Sequence, residues 1–188
     1  MSTLKLNNLE AATGTTINIA SGDKISGASG AIAVPGSVVQ VIYAETDTRQ
    51  TATATSYTDL TGMTATITPK YSSSKILVQV CLNMGHQNSA MNLSCQLLRG
   101  STNIFAGTDT SMKQGFVQTE CGISGYQYEI KNFTATTLDA PATTSATTYK
   151  VQARVNTPAG TWYMNRNHHN AADQGTTKSS ITLQEIAQ

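Results

Sequence analysis

The chain has 188 residues, of which 12% are charged, and its formal net charge is +1 with no run of basic residues. This length allows one domain with a core plus an extension. The near-neutral charge argues against nucleic acid or an anionic membrane surface as a partner. Polarity comes instead from serine, asparagine, glutamine and 30 threonines, and threonine is a residue that strands favour.

Three cysteines, Cys81, Cys95 and Cys121, occur without a CxxC spacing. This odd number predicts reduced, half-buried thiols in a chain made in a reducing cytoplasm. The first ten residues lack a basic stretch followed by an apolar stretch, so we expect no signal peptide. No apolar run approaches the roughly 18 residues of a membrane span, so we expect no membrane insertion.

Residues 1–35 are predicted to form an extended, β-rich N-terminal arm. Short apolar clusters of period 2 alternate there with Gly, Ser and Asn turn residues, a pattern typical of very short strands. One copy cannot bury enough apolar area to offset an ordering cost of roughly 1–2 kcal/mol per residue. We therefore interpret the arm as an attachment and trimerisation segment, with a flexible leader as the alternative. Its predicted assembly residues are Leu4, Leu6, Leu9, Ile17, Ile19 and Ile25.

Residues 36–188 are predicted to form one all-β domain. The β-branched run Val38–Tyr43 predicts a buried first strand, whereas the Thr/Ala alternation of Thr51–Ser56 predicts a loop or an edge strand. Alternate apolar residues in Met63–Ile67 predict a strand that Pro69 ends.

The clearest strand covers Ile76–Met84, where apolar residues alternate over nine positions. A similar alternation over Met91–Leu97 predicts the next strand, ended by a turn at Gly100. The segment Gly85–Ala90 between them predicts a hairpin connection.

Further strands are predicted at Phe116–Val117, Ile123–Ile130, Tyr149–Val155, Thr161–Arg166 and Ser179–Gln188. No segment shows sustained helical periodicity. Eight or so strands at spacings near ten residues indicate a jelly-roll-like β-sandwich.

Catalytic and metal motifs are not found. The chain has no GxSxG motif and no phosphate-binding loop, and its acids fall mostly in predicted loops or at strand ends. The three histidines lack the spacing of metal ligands and are interpreted as solvated loop residues. We therefore predict no enzymatic activity, no cofactor and no metal.

Surface recognition is predicted for loops, because a rigid β scaffold usually carries its contacts there. The segments chosen are 86–90, 107–114 and 165–175. The residues singled out within them are His86, Gln87, Asn88, Asn167, His168, His169 and Asn170.

Aromatic residues offer a further interpretation. A sugar-stacking platform on one sandwich face would use them, whereas core or subunit-interface positions are the favoured alternative, since Tyr and Trp supply area plus one hydrogen bond. The residues concerned are Tyr126, Tyr128, Tyr149, Trp162 and Tyr163.

Three stretches resemble small structural proteins of tailed phages, especially phages of marine bacteria and cyanobacteria. They read MSTLKLNNLEAATGTTINIASGDKISGASGAI, SYTDLTGMTATITPKYSSSKILVQV, and YMNR followed later by SSITLQEIAQ. The resemblance implies a virion component made in the host bacterial cytoplasm, with a β-rich connector and a jelly-roll-like knob similar to the trimeric C1q and tumour-necrosis-factor fold. Residues 100–145 match nothing in that family.

Three functions follow as hypotheses. The first is a homotrimeric tail-fibre or spike appendage that docks on other virion proteins by its arm and adheres to a host-surface glycan. The second is a capsid decoration or head-fibre protein of the same architecture. The third is a carbohydrate-binding or carbohydrate-active β-sandwich.

Overall fold

The computed structural model describes residues 21, 34–86, 91–108, 115–121, 128–156, 160–169, 171–172 and 175–188. Several predicted residues lie outside these ranges. They are Leu4, Leu6, Leu9, Ile17, Ile19 and Ile25 of the arm, together with Gln87, Asn88 and Asn170 of the recognition loops.

Eleven strands make up the regular structure of the described residues, which contain no α-helix. They are β1 Val38–Thr46, β2 Thr51–Ala52, β3 Thr58–Ile67, β4 Lys75–His86, β5 Met91–Arg99, β6 Thr102–Asn103, β7 Val117–Cys121, β8 Lys131–Asp139, β9 Thr147–Val155, β10 Trp162–Met164 and β11 Ser179–Ile186. Within the same residues no helix has the length and apolar character needed to span a bilayer.

The first sheet is antiparallel and is centred on β4. One side of β4 pairs with β11 and then, toward His86, with β10, while the other side pairs with β8 along most of its length. Beyond them, β1 pairs with β11 and β2 pairs with β10. The strands β1 and β8 therefore lie on opposite sides of the sheet, with β11 and β4 between them.

The second sheet is also antiparallel and has β9 between β3 and β5. The other side of β5 pairs with β7 and with the short β6. Chain order alternates repeatedly between the sheets, since β3 and β5 belong to the second sheet while β2 and β4 belong to the first. The predicted jelly-roll-like β-sandwich class is confirmed.

The core lies between the two sheets and is built by alternate residues of the long strands. From β4 it receives Ile76, Val78, Val80, Leu82 and Met84, all at most 3% exposed. Because successive strand residues face opposite sides of a sheet, these five positions follow from the alternation in the sequence. The inward faces predicted for β3, β9 and β11 are likewise confirmed, as are Leu93, Cys95 and Leu97 of β5.

The predicted buried first strand is wrong in one respect. The strand β1 forms, but Val38, Val41 and Tyr43 are each more than half exposed. Only one face of β1 packs on the core, through Ile42 and Ala44. The dense β-branched composition of this strand therefore does not reflect burial of both faces.

The predicted hairpin between β4 and β5 is also wrong, because these strands belong to different sheets and do not pair. The strand predicted at Ile123–Ile130 is not found at residues 128–130, and its remaining residues lie outside the described ranges. A nine-residue strand, β8, follows instead at Lys131–Asp139, in a segment for which no strand was predicted.

Candidate interaction surfaces

The solvent-facing side of the first sheet is the broadest candidate surface, and its rows follow from the strand register. In one row Val41 of β1 lies opposite Gln184, which lies opposite Leu77, which in turn lies opposite Leu138 of β8. We call this side the outer face. Its residues are Val38, Val41, Tyr43, Glu45, Ser180, Thr182, Gln184, Ile186, Lys75, Leu77, Gln79, Cys81, Asn83, Asn132, Thr134, Thr136 and Leu138.

The outer face carries one carboxylate, Glu45, and one lysine within its strands, Lys75, which lies at the start of β4 in the same row as Val38. Lys178 Nζ, from the segment that precedes β11, lies 2.6 Å from Glu45 Oε1, and the Tyr43 hydroxyl donates to Oε2 at 3.0 Å. The hydrogen bond from Lys178 and then that from Tyr43 lower the pKa of Glu45. The carboxylate of this face is therefore paired within one chain.

Exposed apolar side chains cluster at both sides of the outer face. Toward β1, Val38 is 52%, Val41 54% and Tyr43 58% exposed, and at the opposite side Leu138 of β8 is 51% exposed beside half-buried Leu77. Patches that are apolar and poor in charge are typical of protein–protein contact surfaces.

Between these two apolar sides the outer face is polar, and apart from Lys75 at the start of β4 its residues there are uncharged. A shallow depression of about 280 Å³ lies there, lined in part by Gln79, Cys81, Thr134 and Thr182. The amide of Asn132 donates to Cys81 Sγ at 3.1 Å. The thiols of Cys81 and Cys95 are both free, as predicted, but only Cys81 is half-buried, since Cys95 is fully buried in the core.

The solvent-facing side of the second sheet differs in charge. There Asp59 accepts hydrogen bonds from Lys150 Nζ at 3.0 Å and from Gln152 Nε2 at 2.6 Å. Arg154 lies on the same side of β9 and its guanidinium carbon is 5.4 Å from the centre of the Tyr57 ring. The two faces of the sandwich are therefore not equivalent as contact surfaces.

A second candidate surface lies where the 165–169 segment follows β10. The hydroxyl of Tyr163 is 2.7 Å from His168 Nδ1, and the guanidinium of Arg166 lies 4.3 Å from the Tyr163 ring centre. The ring of His169 stacks on that of Tyr128, with centres 5.0 Å apart. The structure thus brings His168 and His169 each against a tyrosine.

Close backbone packing holds this segment against the end of β4. A β-carbon at Gly85 would clash with the backbone of Arg166 and Asn167. The Asn167 amide donates to the Tyr128 carbonyl oxygen at 3.1 Å, which ties the segment to the residues that precede β8.

Two predicted recognition residues are not surface residues. His86 is 2% exposed and is the last residue of β4, opposite Trp162 of β10, so it is not a solvated loop histidine. It continues the inward alternation of Met84, because the sheet extends two residues further than predicted. Asn167 is also only 2% exposed.

The aromatic residues considered for a sugar-stacking platform are also partly buried and partly exposed. Tyr149 and Trp162 are fully buried and Tyr163 is 7% exposed, as the core interpretation predicted, whereas Tyr128 is half exposed. Tyr126 lies outside the described residues. A stacking platform of all five aromatics on one face is therefore wrong, and an exposed aromatic pair, Tyr128 with His169, is present instead.

An ion pair missed from the sequence links the two sheets. Arg99 at the end of β5 lies 2.8 Å from Asp139 at the end of β8, and the Tyr149 hydroxyl donates to the same carboxylate at 2.7 Å. Burial, and then the neighbouring Asp139 carboxylate, raise the pKa of Tyr149. A pocket of about 290 Å³ beside Arg99 is lined mainly by Pro141, Thr143, Ala146, Thr147 and Thr148. Among the described residues no three His, Cys, Asp or Glu side chains are grouped to hold a metal ion.

No protein-family model and no curated protein matches this chain. Among solved structures it is similar to that of the Gx strain of infectious bursal disease virus, with a TM-score of 0.38 and 9% identity over 79% of this chain. The VP2 subviral particle of the same virus gives a TM-score of 0.34 and 10% identity over 79% of this chain. In both comparisons the chain spans 37% of the length of the viral protein. The fold assignment above therefore rests on the strand pairing of the chain itself.

Proposed function

We propose that this chain is a structural protein of a virus particle, a homotrimeric appendage of the tail-fibre or spike type in a tailed phage. Residues 1–35 would attach it to other virion proteins, and the β-sandwich would present loops to the host surface. It would be made in the host cytoplasm and act without catalysis. The resemblance of three sequence stretches to phage structural proteins supports the viral assignment.

The observation that carries a role in assembly is the outer face of the first sheet. It combines more than half-exposed Val41, Tyr43 and Leu138 with a single acid that is already paired within the chain. An apolar surface of this kind is costly to leave in water. Contact with another polypeptide would remove that cost without leaving the Glu45 carboxylate unpaired.

Quantitative mass spectrometry of purified particles tests the viral assignment. We expect the chain to copurify with infectious particles in fixed stoichiometry to a tail protein, at a handful to a few tens of copies. Hundreds of copies per particle would instead support the alternative, a capsid decoration or head-fibre protein. Absence of the chain from washed, intact particles would contradict both.

A carbohydrate-binding role has one specific observation in its favour. The exposed ring of Tyr128, stacked on His169, lies where loops cluster, and Arg166 lies in the same segment. Aromatic faces combined with nearby donors suit the apolar face and hydroxyls of a sugar ring.

A glycan array with the purified chain tests this role. Binding to a defined sugar should be lost in Tyr128→Ala and kept in the control Thr66→Ala, which alters the second sheet. Binding that Tyr128→Ala retains would place sugar recognition elsewhere, and no binding by the parent chain would remove this role.

A further inference from the structure

We infer that the pocket beside Arg99 binds a sugar that carries a carboxylate, a uronic acid residue, and that one edge of the Arg99 guanidinium holds this carboxylate. The pocket lies at the turn after β5 and is walled by the loop between β8 and β9. We call it the Arg99 pocket. The inference goes beyond the proposed function and depends neither on the trimer nor on the outer face of the first sheet.

The Arg99 pocket is separate from the exposed aromatic pair Tyr128 and His169. Asp139 lies opposite the start of β4, whereas β10 pairs with the end of β4. The pocket and the 165–169 segment therefore lie at opposite ends of the sandwich, roughly 25 Å apart at about 3.3 Å per strand residue. One sugar ring cannot contact both.

The guanidinium of Arg99 is held in place through one nitrogen. Its Nη1 lies 2.8 Å from each carboxylate oxygen of Asp139 and 3.4 Å from the carbonyl oxygen of Ala140. The Asp139 side chain is only 11% exposed and also accepts the Tyr149 hydroxyl at 2.7 Å. The guanidinium is therefore oriented before any ligand binds, which lowers the entropy cost of binding.

The opposite edge of the same guanidinium is open. Every hydrogen bond between Arg99 and the described residues uses Nη1, so Nε and Nη2 donate to none of them. Neither nitrogen is enclosed, because the side chain is 31% exposed and lines the pocket. The Nε–H and one Nη2–H bond are parallel and match the two oxygens of a carboxylate. The pocket therefore presents an unused bidentate site for a carboxylate.

The rest of the Arg99 pocket suits a sugar ring better than an acidic amino-acid side chain. Its volume of about 290 Å³ lies at the lower limit of small-molecule sites, roughly 300–1,000 Å³, and suits a single ring. Pro141 and Ala146 supply apolar wall, and Thr143 and Thr148 supply hydroxyl groups. The Thr143 hydroxyl oxygen accepts from the Ser145 N–H at 3.0 Å, so its own proton is available to a ligand hydroxyl.

The shape of the pocket is set by the protein itself. Ala142, between two lining residues, has a φ of 52°, a conformation that few residues other than glycine adopt. The Thr147 hydroxyl donates to the Ser145 carbonyl oxygen at 3.0 Å, and Gly100 N–H donates to the Thr148 carbonyl oxygen at 2.8 Å. A backbone conformation of this kind persists where the surrounding contacts enforce it.

The neighbouring charge sets the strength of binding. Asp139 neutralises Arg99, so a ligand carboxylate gains the two hydrogen bonds but little long-range attraction. We expect a dissociation constant on the order of 1 mM for a single uronic acid residue. Added salt should weaken binding, because the open edge faces solvent.

Ligand titrations of the full-length chain, followed by saturation-transfer NMR, test the inference. The probes are the methyl glycosides of glucuronic and galacturonic acid, the neutral methyl glucoside, and glutarate, which has carboxylates but no ring. We expect at least one uronide to bind at least about tenfold more tightly than methyl glucoside and glutarate. Methyl glucoside binding equally well would overturn the carboxylate contact, and glutarate binding equally well would overturn the sugar assignment. No binding of either uronide would overturn the site.

Two variants locate the binding. Arg99→Lys keeps a positive charge beside Asp139 but lacks the planar donor edge, and it should weaken uronide binding at least about tenfold. Ala146→Phe fills the pocket from an exposed loop position and should abolish binding. Thr144→Phe is the matched control, since Thr144 is exposed in the same loop but does not line the pocket. Uronide binding that survives in Ala146→Phe, or that is lost equally in Thr144→Phe, would overturn the assignment to the Arg99 pocket.

Discussion

Asn165 connects three segments of the first sheet through hydrogen bonds of its side chain. It is fully buried and has a φ of 60°, a conformation that asparagine tolerates better than most residues. Its amide donates to the carbonyl oxygens of Thr46 and Thr48 at 2.9 and 3.1 Å, and it accepts from Ser179 Oγ at 2.6 Å. One side chain thus joins the end of β1, the start of β11 and the segment after β10.

Asn165→Ala should therefore lower the free energy of unfolding by about 3 kcal/mol, because buried groups left without partners cost about 1–3 kcal/mol each. Urea denaturation at one fixed protein concentration measures this change. The exposed terminal variant Gln188→Ala is the control and should change stability by less than about 0.5 kcal/mol. If the free energy of unfolding falls no further in Asn165→Ala than in the control, the hydrogen bonds of Asn165 do not stabilise the fold.

Glu185 is a buried carboxylate in β11 that accepts hydrogen bonds from Gln40 Nε2 at 2.6 Å and from the backbone N–H groups of Lys70 and Tyr71 at 2.8 and 3.2 Å. Burial acts to raise its pKa, but these bonds together with one from Ser74 outweigh burial and lower the pKa below the ordinary value of 4.5. Its stabilising effect is therefore complete above pH 4.5 and is lost as the pH falls through the lowered pKa.

Glu185→Gln should accordingly destabilise the chain most at neutral pH. The difference in unfolding free energy between parent and variant should shrink steadily as the pH is lowered below about 4.5, since the parent then loses its carboxylate. Unfolding curves at several pH values measure this difference. A difference that is constant with pH would contradict the role assigned to the charged form.

Residue positions were predictable where alternation in the sequence was strong. The inward residues of β4 and β9 follow from period 2 alone, and the same period extended by one step places His86 inside. Asn165 was not predictable, because an isolated asparagine in the sequence does not indicate which backbone groups the fold will bring to it. The same limit applies to Asn167.

At the scale of elements, β8 shows why the sequence did not predict a strand at residues 131–139. Its sequence, KNFTATTLD, is mostly polar, with Phe133 and Ala135 as the main inward apolar residues. It is a strand because one side of β4 is available for pairing over nine residues, from Met84 opposite Lys131 to Ile76 opposite Asp139. Tertiary pairing of this kind overrides local propensity.

The hairpin predicted after β4 failed for a related reason. Two adjacent alternating segments joined by a short polar segment are typical of a hairpin, yet β4 and β5 lie in different sheets. Alternation with period 2 shows which residues of a strand face the core. It does not show whether two successive strands pair in one sheet or face each other across the sandwich, because the pattern is the same in both cases.

The Arg99–Asp139–Tyr149 cluster joins elements of both sheets, and Asp139→Ala should lower the unfolding free energy by about 2–3 kcal/mol. The reason is that Arg99 and the inward Tyr149 hydroxyl would both lose their carboxylate partner. Asp59→Ala removes the more exposed pair with Lys150 and should cost less than about 1 kcal/mol. Thermal unfolding measures the loss of stability in both variants. Equal losses would show that the inter-sheet cluster stabilises the fold no more than the more exposed ion pair does.

At the scale of the whole molecule, a separate prediction follows from the boundary at residue 35 between the N-terminal arm and the β-sandwich domain. A chain lacking residues 1–33 should fold, because the described domain closes on itself from Gly36 to Ala187. It should nevertheless fail to enter virus particles, since the proposed attachment segment is gone. Complementation of a deletion phage followed by immunoblotting of purified particles measures incorporation.

Normal incorporation of the truncated chain would contradict the attachment role. Loss of its β-sheet circular dichroism spectrum would mean instead that residues 1–33 contribute to the core. The full-length chain expressed from the same plasmid is the control for both measurements.

The proposed function depends most on self-association of the chain and on the assembly role of the outer face of the first sheet. The most direct measurement is the mass of the full-length chain by light scattering across a concentration series, made beside Tyr43→Glu. The proposed homotrimer predicts three times the 19.9 kDa chain mass for the parent and a shift toward a single chain mass for the variant. A parent that keeps a single chain mass at every concentration would contradict it.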